Sequence, residues 1–197
     1  MNIKTKLRCN DELDVKKTNQ EDAVISYNEY ENKVVEKFGL ESKEYLMIKI
    51  YKEVTARDDF DLYIINDEEK HKDDITKNYL IEENKKYTIL LQAYKTSKNK
   101  DPIKIKLTSE LDNLIYQCIT KHKIEKILFS SKHGLNSSFI STMHKKIGIK
   151  GSINMIRHII ISSGIKNMNL EERVQMAKNS FHSIETQKDY KRKQKNE

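Results

Sequence analysis

Arg157 and His158 stand side by side in the last quarter of the chain, and His182 precedes Tyr190 by eight residues. A guanidinium, an imidazole and a phenol brought together form a kit for holding a phosphodiester and attacking it with an oxygen nucleophile. A planar guanidinium suits the non-bridging oxygens, because it donates in a fork and stays charged. A phenol has a pKa of about 10, so it must pass its proton to a neighbour as it attacks. The sequence carries no Gly-rich phosphate loop, paired-carboxylate motif or metal-ligand spacing that would support a different chemistry.

The charge pattern agrees with an anionic partner. Lys and Arg total 37 against 30 acids, for a net charge of +7. From Lys126 to Leu170 there is no Asp or Glu, while Lys126, Lys132, Lys145, Lys146, Lys150, Arg157 and Lys166 supply positive charge. Acid concentrates instead between Asp58 and Glu83. A solvated basic side and a solvated acidic side would account for this without a ligand. The length of the acid-free block favours a phosphate-backbone surface carried by Lys98, Lys132, Lys145, Lys146 and Lys150. Cys9 and Cys118 make neither a disulfide framework nor a zinc pattern and imply a reducing compartment. No apolar run reaches the length of a membrane span, and no signal peptide opens the chain, so the expected setting is intracellular, without a membrane.

The elements that must position these residues follow from periodicity. Residues 1–20 are polar and aperiodic, and read as a flexible arm or the remnant of a linker. From Glu21, apolar residues recur at helical steps through Tyr27, Tyr30, Val34 and Phe38 to a stop at Gly39, and a second helix runs on from Ser42. Arg57 lies just past that helix and ahead of a strand-like Leu62–Ile65 stretch. An isolated surface Arg is commonly capped by nearby acids such as Asp58 or Asp61, but this position between a helix and a core strand can aim a guanidinium inward. Tyr87–Ala93 and Pro102–Leu107 read as the arms of a hairpin, with Lys95, Lys98 and Lys100 in its loop. Such a tip is commonly plain surface; it can also deliver an ammonium to a leaving oxygen. Helices are then expected from Thr108, from Asn136, from Ser152 with Arg157 aboard, and from Leu170 to Met176 with Leu170, Val174 and Ala177 on one face. A basic tail, residues 192–197, closes the chain.

Taken in this order the residues resemble the catalytic domain of the tyrosine recombinase, or phage-integrase, family from about residue 40 to 191, within an expected domain of residues 21–191. Arg57 corresponds to the family's first arginine, Lys95 to its hairpin lysine, Arg157 to its second arginine, His182 to its late His or Trp, and Tyr190 to its tyrosine. The end segment, with Ala177, His182, Ser183, Thr186, Gln187 and Tyr190, is similar to integrases of large DNA viruses, virophages and related mobile elements. Where the family has a His three residues before its second arginine, this chain has Asn154. Asn154, His158 and Lys98 are therefore candidate assistants to the five.

The resemblance implies an α+β fold, mainly helical with a small antiparallel β-sheet or hairpin. It implies site-specific recombination or integration of double-stranded DNA through a 3′-phosphotyrosyl intermediate, with no metal and no cofactor, by a homo-tetramer on DNA that is a monomer or weak oligomer without it. Two alternatives stay open: a type IB topoisomerase-like enzyme that nicks and reseals one strand, and a non-catalytic integrase-derived DNA-binding module. Family members carry a helical core-binding domain upstream, and the residues before 40 are too few for one.

Overall fold

The computed structural model describes residues 25–54, 61–71, 74–93, 101–126, 128–129, 136–150, 153–165 and 168–179. Six helices and four strands follow one another as α1 (Tyr27–Phe38), α2 (Lys43–Glu53), β1 (Leu62–Ile65), β2 (Asn78–Glu83), β3 (Lys86–Leu91), β4 (Ile103–Lys106), α3 (Ser109–His122), α4 (Asn136–Lys146), α5 (Ile153–Ile165) and α6 (Leu170–Asn179). The α+β class expected from the sequence is the observed one.

The helix starts are set locally. Ser26, Ser42 and Thr108 are N-caps in extended conformation whose side chains accept from the backbone N–H three residues on, satisfying donors that a helix start leaves unpaired. Asn169 and Glu172 form a reciprocal cap for α6: Asn169 Oδ1 accepts from Glu172 N, and Glu172 Oε2 accepts from Asn169 N. At the first helix's end Gly39 takes φ +84°, and its N–H donates to Val35 O.

The core is built around α2, whose Tyr45, Leu46, Met47, Ile48, Ile50 and Tyr51 are all buried. A helix that is apolar on nearly every side has to sit between other elements. Here α1, α3 and α5 pack against it. Leu62, Leu80, Ile89 and Leu91 join the same core from the sheet, and Leu128, Phe129, Ile140, Met143 and Ile156 join it from the second half of the chain.

The sheet runs β1-β2-β3-β4, with β1 and β2 parallel and the other two pairs antiparallel. It is thus mixed, not wholly antiparallel as expected. The difference is β2, which lies at the end of the acidic stretch. Its first four residues are buried, so its sequence lacks the polar–apolar alternation of a half-exposed strand. Asn84 and Lys85 take φ of +52° and +62°, the two-residue turn whose twist matches a hairpin, and join β2 directly to β3. The second hairpin, β3–β4, is as expected, with Leu91 opposite Ile103. Outside β1, Ile64 N donates to Lys126 O and Leu128 N to Leu62 O, both at 2.9 Å, so that edge is covered.

Several acids of the acidic stretch are structural. Glu68 pairs with Lys104 of β4 at 2.6 Å, and Asp74 accepts from Thr76, Lys77 and Tyr79 Oη. The Lys77 ammonium, the Thr76 hydroxyl and the Tyr79 phenol together hold the Asp74 carboxyl well below the usual carboxylate range.

Candidate functional site

Among the described residues, Arg157 is the best-placed of the predicted site residues. It sits on α5 between Ile156 and the Ile159–Ile161 run, and only 2 % of it is exposed. Ile-rich sequence has modest intrinsic helix preference, so α5 owes its helicity to packing against α1, α2 and α4. Tyr27 N at the start of α1 donates to Ser163 Oγ at 2.8 Å, which fixes α5 lengthwise against α1. Ile160 and Ile161, one turn beyond Arg157, are also buried, so the guanidinium belongs to the inward face. A buried guanidinium is tolerated only with partners, and Arg157 is engaged with neighbouring groups. A charge held this way is oriented before any ligand arrives.

His158 is half-buried beside it and likewise engaged. Asn154 lies in the first turn of α5, one helical turn before Arg157. Lys145 and Lys146 occupy the last turn of α4, and Lys150 follows a turn in which Gly148 takes φ +73°. All three lysines are exposed. Lys146 Nζ stands 5.7 Å from the centre of the Phe38 ring, and cations at the end of α4 also complement its dipole. The structure thus gathers three of the five predicted DNA-contacting lysines at the connection leading into the helix that bears Arg157. Arg57, Lys95, Lys98, Lys132, His182 and Tyr190 lie outside the described residues.

One buried polar pair next to this region was not assigned a role from sequence. His144 on α4 is fully buried, and its Nε2 lies 2.9 Å from Tyr30 Oη on α1, with the two rings edge to face. Burial pushes the Tyr30 phenol well above its ordinary pKa. His144 was legible only as one histidine of the acid-free block, since nothing in its local sequence says that a tyrosine 114 positions earlier meets it. On α6, the helix expected to carry Leu170, Val174 and Ala177 on one face, Leu170 is 67 % exposed, because the capping pair Asn169–Glu172 sets the start of the helix at its position.

No protein-family model matches the sequence, and no curated protein is detectably similar to it. Two solved structures match the fold. One is the crystal structure of XerA recombinase, at 13% identity with a TM-score of 0.54, covering 87% of this chain and 58% of that one. The other is XerH site-specific recombinase bound to palindromic difH substrate in a post-cleavage complex, at 17% identity with a TM-score of 0.54, covering 87% of this chain and 50% of that one. The chain thus spans little more than half the length of the recombinases it matches. Over most of its length, it has the fold of a tyrosine recombinase catalytic domain.

Proposed function

We propose that this chain is the catalytic part of a DNA strand-transferase of the tyrosine recombinase family, cutting and rejoining double-stranded DNA through a 3′-phosphotyrosyl intermediate. The observation that carries the reading is the coincidence of a recombinase fold with a buried arginine, Arg157, at the position where the sequence resemblance puts the family's second arginine. XerH was captured on DNA after cleavage, which supports DNA as the partner.

In this reading Tyr190 Oη attacks the scissile phosphorus, the P–O3′ side stays with the enzyme as a phosphotyrosyl ester, and the P–O5′ bond breaks. The phenolic proton passes to a neighbouring base, and the departing 5′-oxygen takes a proton from Lys95. Arg57 and Arg157 hold the non-bridging oxygens, with His182 donating to the same phosphoryl group and His158 and Asn154 assisting. Energy of the broken bond is kept in the new ester, so rejoining to another 5′-hydroxyl needs no cofactor. Lys145, Lys146 and Lys150, with Lys98 and Lys132, neutralise backbone phosphates. Recombination between two duplexes would use four copies, wherever in the cell the target DNA resides.

The test is a suicide-substrate assay with nicked duplexes carrying the ends of the DNA element that encodes the chain. A covalent protein–DNA adduct on a denaturing gel, absent from Tyr190→Phe, is the expected result. Supercoil relaxation without exchange between duplexes would move the assignment to a type IB topoisomerase-like enzyme. DNA binding without an adduct would move it to a non-catalytic module, with Asn154 as the residue to explain.

A further inference from the structure

The helix that bears Arg157 is held by a surface that gives it little direction. Met155, Ile156, Ile159, Ile160 and Ile161 of α5 are all buried, and α5 packs against α1, α2 and α4. Burial of apolar area is non-directional, so a run of near-identical branched side chains fixes the lengthwise setting of a helix less sharply than a bond does. A hydrogen bond has a preferred length and angle. Ser163, half-buried on α5, supplies one: its Oγ accepts at 2.8 Å from the N–H of Tyr27, the first residue of α1.

Tyr27 N is one of the donors that a helix start leaves without an intrahelical partner. At this start Ser26 Oγ accepts from Glu29 N and Ser26 O from Tyr30 N, and the remaining donor goes to a side chain 136 positions away. Water could satisfy either group at a half-buried site, so what the direct bond adds is a fixed spacing between α1 and α5. One turn on, Tyr30 Oη meets His144 Nε2 of α4 at 2.9 Å. The start of α1 therefore sets α4 and α5 in one frame. Arg157 precedes Ser163 by six residues, about 9 Å along the helix axis, and a helix carries an axial setting over that distance.

We propose that Ser163 is a positioning residue for Arg157: by tying α5 to the start of α1, it sets how far along its own axis the helix presents the guanidinium. This rests on the proposed function, in which Arg157 holds a non-bridging oxygen of the scissile phosphate. Replacing one non-bridging oxygen by sulfur gives two isomers of that phosphate. Sulfur is a larger and poorer acceptor, so the isomer with sulfur where Arg157 reaches should react more slowly than the oxygen duplex, and only as far as that contact is made. The ratio of oxygen to sulfur rates thus reads the contact. It does not depend on the fraction of protein that is folded.

The experiment measures adduct formation by the full chain on the oxygen duplex and on each sulfur isomer, for wild type, Arg157→Lys, Ser163→Ala and Ser163→Thr. Asn84→Val, which costs stability at the β2–β3 turn, runs beside them. On oxygen, Ser163→Ala should be slower by about 10²-fold, the loss that a misplacement of about 1 Å can cause, with DNA affinity unchanged. In the isomer whose ratio Arg157→Lys lowers, Ser163→Ala should lower it too. Ser163→Thr, which keeps the hydroxyl, and Asn84→Val should keep the wild-type ratio. Ser163→Cys, with a weakly accepting sulfur in the same shape, should fall between wild type and Ser163→Ala; it carries the test if circular dichroism finds Ser163→Ala unfolded. Wild-type ratios on both isomers, or a change confined to the isomer that Arg157→Lys leaves alone, overturns the positioning role and leaves the proposed function standing. If Arg157→Lys itself changes neither ratio, Arg157 is not a phosphate ligand and the inference falls with it. Wild type that forms no adduct on the oxygen duplex overturns the proposed function itself.

Discussion

Tyr30 Oη and His144 Nε2 meet at 2.9 Å in the interior, joining the first helix to the fourth across 114 positions of sequence. The bond ties the N-terminal half of the described fold to the acid-free half that carries Arg157, so its contribution is to stability and to the seating of α4. Tyr30→Phe keeps the ring and removes one partner from a buried imidazole. A stability loss of about 1–3 kcal/mol is expected. Urea denaturation of the variant beside wild type checks it, and an unchanged midpoint would mean that the imidazole bonds equally well elsewhere.

Burial also shapes the response to alkali. Tyr79 and Tyr87 are pushed up to about 12, in each case first by burial, with Asp74 adding to the shift at Tyr79 and Glu82 at Tyr87. Tyr30 is raised in the same way. Each phenol is neutral in the fold at a pH where the unfolded chain already ionises, so stability is complete below about pH 10. It is lost as pH climbs from there through the folded values. A flat melting temperature from pH 7 to about 10, then a steep fall tracked by tyrosinate absorbance, is the expected profile. A Tyr87→Phe variant should fall less steeply, and identical profiles would count against this account.

The hairpin turn offers a local test. Asn84 at φ +52° occupies left-handed backbone that Asn adopts more readily than other residues with a side chain. Asn84→Val should cost about 1–2 kcal/mol, whereas Asn84→Gly should be close to neutral. Thermal melts of the two variants compare them directly. Equal effects would show that the left-handed backbone conformation does not limit the choice of residue at this position.

What could be read in the sequence divides along physical lines. Caps at Ser42 and Thr108 are short-range signals, and the helices after them stand where those signals put them; the first helix, expected from Glu21, is observed from Tyr27, because Ser26 caps it in extended conformation. Strand β2 carries no alternating signal because Asn78–Ile81 is buried on both faces, and its turn, Asn84-Lys85, lacks the glycine that usually advertises a two-residue hairpin. Its parallel pairing with β1 was equally hidden, since it depends on the crossover 66–77, whose acids looked like solvated surface. Arg157 was legible as a candidate from its neighbours in sequence, but its burial depends on α1, α2 and α4, which sequence spacing cannot supply. The same holds for Ser163, whose partner Tyr27 N comes into reach only through the packing of α1 on α5.

Arg157→Lys separates charge from geometry at the proposed site. The ammonium keeps the positive charge but cannot donate two parallel bonds to a phosphoryl group, and it is shorter in reach on a helix locked by its neighbours. Adduct formation at saturating protein should fall by about 10²–10³-fold, the loss typical of one transition-state donor, with DNA affinity nearly unchanged. A variant that cleaves normally would remove Arg157 from the phosphate-binding set.

The exposed lysines at the end of α4 should behave oppositely. Lys145, Lys146 and Lys150 are exposed, and in the proposed function they bind backbone phosphates and displace counterions instead of touching the reacting group. Each phosphate contact adds about 0.9 to the slope of log affinity against log salt, so replacing all three with Ala should lower that slope by about 2–3. Affinity should drop most at low salt, where released counterions contribute most, and cleavage under saturation should keep its rate. A triple variant with an unchanged salt slope would relocate the phosphate contacts elsewhere on the chain. In that case the exposed lysines of the last turn of α4 serve its dipole, with Lys146 also packed against Phe38.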